Sequence, residues 1–223
     1  STGTPKAVMQ RDGNVLAHAL TYARRLRLGP GDHVPLLARV TFDAAVMDLF
    51  GCLLTGATLH IVDPIRDAGR LRHELAALRP TVLHCTPSLF RHLLSGSAAE
   101  PEDERAPLPT VRAVVLGGEE VRGSDVDRFF GHFPGAQLVN GLGPTECTVA
   151  LQHLASAADR DRPSLPVGHP VPGVEIRLLD EGGTPTALFG EIEIVSDRVA
   201  AGYWNRDEET AGAFGVDERG RAR

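Results

Sequence analysis

Short apolar runs alternate with amphipathic stretches along most of this chain, and this alternation constrains its fold more than any other feature. Apolar positions at helical spacing predict helices, whereas short apolar runs bounded by Gly or Pro predict strands. The pattern predicts helices over residues 14–28, 44–54, 68–78, 88–94 and 125–130, and strands over residues 34–42, 57–62, 81–85, 111–116 and 137–140. Strands that alternate with helices of this length form parallel βαβ units, with ligand-binding loops at the carboxyl ends of the strands.

The alternation stops near residue 160, where the sequence changes to short strands and turns. Strands are predicted over residues 174–179 and 191–195, on either side of an Asp-Glu-Gly-Gly turn. The acidic stretch over residues 95–109, rich in Pro and Ala, is predicted to be a solvated surface loop. We therefore predict an α/β fold with a mostly parallel sheet flanked by helices over residues 1–160, followed by a small β-barrel-like subdomain over residues 161–223.

Composition and charge exclude several classes of partner. The formal net charge is -6 and the 22 arginines lie among acidic residues, so the chain offers no basic face to a nucleic acid. No apolar run approaches the roughly 20 residues that span a bilayer, and no signal peptide opens the chain, which favours a cytoplasmic protein without membrane contact. The three cysteines are far apart and odd in number, so they predict neither a disulfide framework nor a metal site.

A single lysine accompanies those 22 arginines, and it ends the opening segment Ser-Thr-Gly-Thr-Pro-Lys over residues 1–6. A lysine head is a compact, mobile point charge, so one beside flexible Gly, Ser and Thr favours a loop that holds a phosphate. Chance survival of one lysine in an arginine-rich composition is the alternative that this segment alone leaves open. The segment lacks the GxxxxGK[ST] spacing of P-loop nucleotidases, which excludes that family.

Two further loops follow predicted strands. Asn-Gly-Leu-Gly-Pro-Thr-Glu over residues 140–146 places a hydroxyl at Thr145 and a carboxylate at Glu146, beside glycines that allow close backbone approach. Such a pair suits a metal-bound phosphate, although a tight turn with a solvent-facing Glu146 is the alternative. Gly-Gly-Glu-Glu over residues 117–120 is a similar but less specific loop, against which a flat aromatic ring could lie.

Five segments in this order carry a resemblance that extends over essentially the whole chain. They read STGTPKAV, FDAAVMDLFGCLLTGATLHIV, GGEEV, NGLGPTE and FGEIEIVSDRVAAGYWNRDEETAGAF. The chain resembles the adenylation domains of nonribosomal peptide synthetases, within the superfamily that includes acyl-CoA synthetases and luciferases. The resemblance implies that a carboxylate attacks the α-phosphorus of ATP, giving an acyl-AMP and pyrophosphate, and that a phosphopantetheine thiol on a peptidyl carrier protein then takes the acyl group.

The same resemblance implies the residues of the nucleotide site. Lys6, Thr145 and Glu146 would be catalytic, with Lys6 on the β- and γ-phosphates, Thr145 on the α-phosphate and Glu146 holding Mg²⁺. Asn140 would hydrogen-bond the adenine, and Leu142 stands where most relatives have an aromatic residue that stacks on it. The residues expected to bind ATP are Ser1, Thr2, Gly3, Thr4, Lys6, Gly118, Glu119, Asn140, Gly141, Leu142 and Thr145.

The resemblance also implies a substrate pocket. Asp43 would pair with the α-ammonium of an amino acid, a contact that fatty and aryl acids cannot make, although a cap of the following helix is an alternative role. The pocket would be lined by Asp43, Ala44, Met47, His84, Val115, Gly117, Gly141, Val149 and Ala150. This mostly apolar set favours a medium or large apolar side chain. His84 either hydrogen-bonds a polar substrate group or packs on the pocket wall.

Three functions are compatible with these residues. Amino-acid adenylation is favoured, and Ile-Val-Ser over residues 194–196, where amino-acid-activating relatives often have a glycine pair, keeps acyl- or aryl-acid activation open. An inactive docking role is the third. A ribose-binding segment and a carboxy-terminal domain with a second catalytic lysine, which relatives carry, have no counterpart here, so the chain alone is expected to show little activity. A small accessory protein is a possible further partner.

Overall fold

The computed structural model describes residues 4–63, 68–94 and 108–223, and for residues 68–69 it describes the backbone alone. The helices are α1 (Asp12–Leu26), α2 (Asp43–Thr55), α3 (Ala68–Leu78), α4 (Pro87–Leu94), α5 (Gly123–His132) and α6 (Asp207–Ala213). The strands are β1 (His33–Leu36), β2 (Thr58–Ile61), β3 (Val82–Cys85), β4 (Ala113–Gly117), β5 (Gln137–Leu142), β6 (Leu151–Leu154), β7 (His169–Pro170), β8 (Glu175–Leu179), β9 (Pro185–Thr186) and β10 (Glu191–Val195).

The largest sheet has the strand order β3-β4-β5-β6-β7. Its strands β3, β4 and β5 are parallel, whereas β6 and β7 are antiparallel additions at one edge. The strands β1 and β2 form a separate parallel pair, and Thr81, just before β3, donates its backbone N–H to the carbonyl of His33 at 2.9 Å. The predicted α/β class, with a mostly parallel sheet flanked by helices, is confirmed.

Strand β4 shows why helices must cover both faces of this sheet. Alternate side chains of a strand point to opposite faces, so Val114 and Val115 enter different cores. Val114 packs in a cluster with Leu75, Phe90 and Phe129 of the helices α3, α4 and α5. Val115 packs in a second cluster, which contains Tyr22, Leu26 and Met47 of α1 and α2. A parallel strand buried on both faces explains the uninterrupted apolar run from Ala113 to Leu116.

The structure departs from the predicted elements in two respects, and one predicted loop lies mostly outside the described residues. The predicted strand over residues 34–42 ends at Leu36, because its pairing with β2 ends there and the chain then turns, with Phe42 N donating to Arg39 O at 2.9 Å. The strands β6, β7 and β9 and the helix α6 were not predicted, because each is short or lacks a marked apolar period. Of the predicted surface loop over residues 95–109, residues 95–107 lie outside the described part of the chain.

The smaller sheet has the order β10-β8-β9 and is antiparallel throughout. Its strands begin at Glu175, whereas the two residues of β7 still belong to the larger sheet. The predicted division of the chain at residue 160 stays a prediction. None of the helices in the described ranges is long and apolar enough to cross a bilayer.

A polar cluster ties the amino ends of three strands to the end of α1. The guanidinium of Arg112 donates to both carboxylate oxygens of Asp32, at 3.0 and 2.8 Å, and to the carbonyl of Leu26 at 2.6 Å. The hydroxyl of Thr81 also donates to Asp32, at 2.6 Å. Burial opposes ionisation of Asp32, but these donors and the charge of Arg112 outweigh it and lower the pKa of the carboxyl group below its ordinary value.

We expect Arg112→Met to lower the free energy of unfolding by about 1–3 kcal/mol, because it leaves the Asp32 carboxylate short of donors in a largely buried position. The measurement is urea unfolding of the full-length protein, read out by hydrogen exchange in β3 and β4. Because the pKa of Asp32 is lowered in the folded state, this contribution is fully present above the ordinary aspartate value near 3.9 and is lost as the pH falls through the folded value.

The control for Arg112→Met is Arg206→Met, which removes a 3.4 Å ion pair with Glu209 in which both side chains are largely exposed. That variant should lose less than about 1 kcal/mol. Equal losses in the two variants at neutral pH would contradict the structural role assigned to the Asp32–Arg112 pair.

Candidate functional site

Three segments that are far apart in sequence meet near the carboxyl ends of the parallel strands. The segment after residue 6 pairs with residues 201–204, because Met9 N donates to Gly202 O and Ala201 N donates to Met9 O, both at 2.8 Å. The loop after β5 joins them, since Ala200 N donates to Glu146 O at 2.7 Å and the Gln10 side chain donates to Thr145 O at 2.7 Å. Backbone hydrogen bonds thus bring the lysine segment and the Thr-Glu loop together.

Tyr203 connects the charged side chains of these segments. The ammonium nitrogen of Lys6 lies over the Tyr203 ring, 4.2 Å from its centroid, which is a cation–π geometry. The Tyr203 hydroxyl donates a short hydrogen bond to the carboxylate of Glu146. Burial, followed by the hydrogen bond and charge of Glu146, raises the pKa of Tyr203 to about 12. The tyrosine therefore stays a neutral donor that orients Glu146.

A cavity of about 500 Å³ opens at the carboxyl ends of β3, β4 and β5, which is where ligands bind in parallel α/β sheets. All the predicted substrate residues except Ala150 line it. Ala150 is fully buried beside the cavity and donates its N–H to Leu142 O at 2.9 Å. The lining residues that were not predicted are Leu37, Ala38, Arg39, Phe42, Cys85, Thr86, Ser88, Leu89, Leu116, Gly143, Thr148 and Gln152.

Two glycines keep one side of the cavity free of side chains. Gly117 of β4 and Gly141 of β5 are paired in the sheet register, and a Cβ on Gly117 would lie 3.2 Å from the carbonyl oxygen of Gly141. Gly118 has a φ of +79°, a conformation that a side-chain-bearing residue rarely adopts. A ligand can therefore approach the backbone here.

Asp43 is the first residue of α2 and lines the cavity. Phe42 occupies the N-cap position, so Asp43 is not the N-cap, although its carboxylate accepts a hydrogen bond from Ala44 N at 2.9 Å. Burial raises the pKa of Asp43, and the hydrogen bonds from Ala44 and from the Thr145 side chain and the charge of His84 offset this only in part. A carboxylate in such a setting favours a cationic partner.

Behind the cavity wall lies a buried polar triad of Tyr22, Asp48 and His84. The Asp48 carboxylate is fully buried, and its Oδ1 accepts hydrogen bonds from Tyr22 OH at 2.6 Å and from His84 Nδ1 at 3.0 Å. Its Oδ2 has no donor among the described residues. Burial opposes the charged form of His84, but the charge and hydrogen bond of Asp48, together with the charge of Asp43, raise its pKa above the ordinary value. His84 is therefore biased toward its cationic form.

The residues predicted to bind the nucleotide, unlike most of the predicted substrate residues, do not all line this cavity. Thr4 and Lys6 are exposed, and Lys6 lies over the Tyr203 ring, whereas Ser1, Thr2 and Gly3 lie outside the described residues. Glu119 accepts a hydrogen bond from the backbone N–H of Ser88, at 3.0 Å, near the start of α4. Asn140 is buried and donates from Nδ2 to Pro166 O at 3.0 Å, and Leu142 is partly exposed at the end of β5.

Sequence reasoning missed Tyr22, Asp48 and Tyr203. Tyr203 lies in the last of the five segments that carry the resemblance, within Gly-Tyr-Trp. Its contact with Glu146 joins residues far apart in the sequence, so spacing does not reveal it. Asp48 had one local signal. It is a charged residue inside an otherwise apolar stretch of α2, Ala-Val-Met-Asp-Leu-Phe over residues 45–50, and a charge in such a position is rarely buried unless it is paired.

The donor set of the site suits a metal only together with a phosphate. Across the described residues, no three His, Cys, Asp or Glu side chains come together as metal ligands. Glu146 supplies a single partly buried carboxylate next to the exposed Thr145 hydroxyl. Mg²⁺ commonly binds in this way, through one or two carboxylates and the oxygens of a substrate phosphate.

Comparison with known proteins gives consistent matches. Residues 1–204 match the model of the AMP-binding enzyme family. Bacitracin synthase 3 of Bacillus licheniformis is 31% identical over 96% of this chain, and the D-alanine--D-alanyl carrier protein ligase of Bacillus velezensis is 32% identical over 96%. The solved nonribosomal peptide synthetase FmoA3 superposes with a TM-score of 0.88 at 28% identity over 99% of the chain.

The chain spans only part of each relative: 3% of bacitracin synthase 3, 43% of the D-alanine ligase and 24% of FmoA3. The resemblance to the adenylation domains of nonribosomal peptide synthetases is confirmed by these matches.

We expect Tyr203 to remain protonated between pH ~9.5 and ~11, where an ordinary tyrosine titrates. Glu146→Gln should lower the pKa of Tyr203 from about 12 without returning it to its ordinary value, because burial is the larger cause of the shift. The measurement is the ultraviolet absorbance of phenolate in the full-length protein, with Tyr203→Phe subtracted. A wild-type Tyr203 that ionises like a free tyrosine would contradict the contact with Glu146.

Proposed function

This chain belongs to the AMP-binding enzymes, and from that premise we propose that it carries the ATP and amino-acid sites of an adenylating ligase. In the proposed reaction, an amino acid and ATP give an aminoacyl-AMP and pyrophosphate. A phosphopantetheine thiol of a peptidyl carrier protein then takes the aminoacyl group in nonribosomal peptide synthesis. The solved relative FmoA3, which has been determined in an AMPPNP-bound form, supports ATP as the nucleotide.

The placement of Asp43 carries the proposal for an amino acid. Its carboxylate faces a largely apolar cavity and is partly shielded from water, so a positive partner there would stabilise it. The α-ammonium of an amino acid supplies that charge, whereas a fatty or aryl acid has none. The Thr145 side chain contributes to the pKa of Asp43, so it lies near that carboxylate, and the amine would be anchored next to the loop that holds Glu146.

The chemical step requires few groups from this chain. A carboxylate oxygen of the substrate attacks the α-phosphorus, the new O–P bond forms, and the bond from the α-phosphorus to the bridging oxygen of pyrophosphate breaks. Lys6 would stabilise the charge that develops on the leaving pyrophosphate, and Thr145 would hydrogen-bond the α-phosphate. These groups bind and orient, so most of the acceleration comes from positioning and electrostatics.

Two components beyond the chain complete the proposal. Mg²⁺, which Glu146 would hold, supplies positive charge to the phosphate oxygens when it is bound. Tyr203 would fix the orientation of the Glu146 carboxylate for this role. The phosphopantetheine thiol belongs to a carrier protein, and a small accessory protein remains a further proposed partner.

We expect Asp43→Asn to lower the kcat/KM of amino-acid-dependent ATP–pyrophosphate exchange by about 10- to 100-fold, because an amide cannot neutralise the α-ammonium. The measurement uses the full-length protein with the common amino acids and with fatty and aryl acids. ATP binding should be unchanged, which separates a substrate defect from loss of the nucleotide site.

The matched control is Asp12→Asn, which changes an exposed aspartate in the first turn of α1, away from the cavity. It should leave the exchange rate close to that of the wild type. Exchange that depends only on a non-amino acid would instead support acyl- or aryl-acid activation. Absence of exchange with any acid would support a docking role, and measurable ATP binding would count against it.

A further inference from the structure

We propose that Asp48 and Tyr22 set the substrate class of the cavity by positioning His84, and that the substrate is an amino acid whose side chain carries a hydroxyl group. The inference rests on the proposed adenylation and deepens it. Neither Asp48 nor Tyr22 lines the cavity, so both act through His84, which does.

The imidazole ring of His84 is held in one orientation. Asp48 accepts from Nδ1 of His84 at 3.0 Å, so Nδ1 carries a hydrogen and cannot serve the cavity. The Tyr22 hydroxyl donates to the same carboxylate oxygen at 2.6 Å and thereby fixes the position of the carboxylate. The ring of Tyr22 also lies beside that of His84, with centroids 5.5 Å apart. With Nδ1 occupied and the ring held in place, Nε2 is the nitrogen left for a ligand.

Nε2 of His84 is accessible from the cavity. His84 lines the cavity although the residue is almost entirely buried. No described residue hydrogen-bonds Nε2, and the atom keeps some accessible surface. The atom is therefore reached from the cavity. A ring nitrogen that faces a largely apolar cavity is costly to leave unpaired, so it selects for a substrate that pairs with it.

Two carboxylates, Asp43 and Asp48, set the balance of charge around the substrate. Asp43 and Asp48 are five residues apart on α2, about 7.5 Å along the helix axis, and the charges of both act on His84. The substrate ammonium would offset Asp43, and Asp48 is already paired with His84 through Nδ1. A carboxylate on the substrate side chain would add a buried charge without a partner, and an aliphatic side chain would leave Nε2 unpaired. A neutral hydroxyl satisfies Nε2 and keeps the balance.

The rest of the wall agrees with a hydroxyl on a largely apolar side chain. Met47, Val115 and Val149 are apolar, and Gly117 and Gly141 leave space near them. The apolar preference predicted from these residues and the polar preference of His84 therefore apply to different atoms of one substrate.

The test compares pairs of amino acids in which a methyl group or hydrogen replaces the hydroxyl: serine with 2-aminobutyrate, threonine with valine, and tyrosine with phenylalanine. Exchange kinetics of the full-length protein give kcat/KM for both members of each pair, and aspartate is included as the carboxylate probe. We expect the wild type to prefer the hydroxyl member of its best pair by about tenfold or more. Preference for the member without a hydroxyl in every pair, or for aspartate over all hydroxyl substrates, would overturn the proposed class.

The variants Asp48→Asn and Tyr22→Phe test the positioning role. Asp48→Asn should reduce the preference ratio at least about fivefold, and Tyr22→Phe should reduce it less, because one hydrogen bond to Asp48 is lost while the charge remains. The ratio is measured within one preparation, so partial unfolding lowers both rates and cancels. If Asp48→Asn does not fold, Tyr22→Phe provides the same readout. An unchanged ratio in the folded variants would overturn the role of Asp48 and Tyr22.

The matched control is Asp125→Asn, which removes another buried carboxylate, one that is paired with Arg91 at 2.6 Å and does not line the cavity. It should lower both rates alike and keep the ratio. Absence of exchange with every amino acid, while ATP still binds, would overturn the proposed function and this inference with it. Exchange with amino acids but no hydroxyl preference overturns this inference alone.

Discussion

Parallel strands pair well only when both of their faces are shielded from water, and the rest of this structure depends on that constraint. The strands β3, β4 and β5 carry apolar residues on both sides, so α1 and α2 cover one face while α3, α4 and α5 cover the other. With both faces closed, the carboxyl ends of the strands are the place where backbone remains accessible. The cavity lies there, and Gly117 and Gly141 keep its floor open. The position of the site is thus a consequence of how the sheet is buried.

Helix α2, which covers the sheet, would also supply the selectivity of the proposed substrate site. Helix α2 uses its apolar residues to cover the sheet, while Asp43 and Asp48 face the cavity or the residue that lines it. A buried carboxylate is tolerated only where it finds donors or positive charge, and Asp48 finds them in Tyr22 of α1 and His84 of β3. The Asp48 carboxylate of α2 therefore connects α1 and β3 by hydrogen bonds. The packing of α1 against α2 is thereby linked to the polarity of the pocket.

Much of the fold could be predicted from the sequence, because the helices and the central strands have strong periodicity and clear Gly or Pro boundaries. Residues 111–116 and 137–140 predicted β4 and β5 to within a few positions. The antiparallel strand β6 was missed because its identity depends on pairing with β5 rather than on a local pattern.

The residues of the site likewise divide into those that a local motif indicates and those that only long-range contacts reveal. Motif order indicated Asp43, Glu146 and Lys6, whereas the contacts of Asp48 with His84 and of Tyr203 with Glu146 join residues 36 and 57 positions apart and leave no local signal.

The lone lysine limits where the protein could acylate its own side chains. An enzyme that makes an acyl-adenylate, as proposed here, holds a reactive mixed anhydride that can acylate amines. Guanidinium groups remain protonated at neutral pH and do not compete for it. With arginine at every other cationic side chain, Lys6 is the single side-chain amine in this sequence, and its ammonium lies against the Tyr203 ring. Within this chain, modification of side-chain amines during turnover is therefore limited to one position, which peptide mass mapping would register as a single added acyl group.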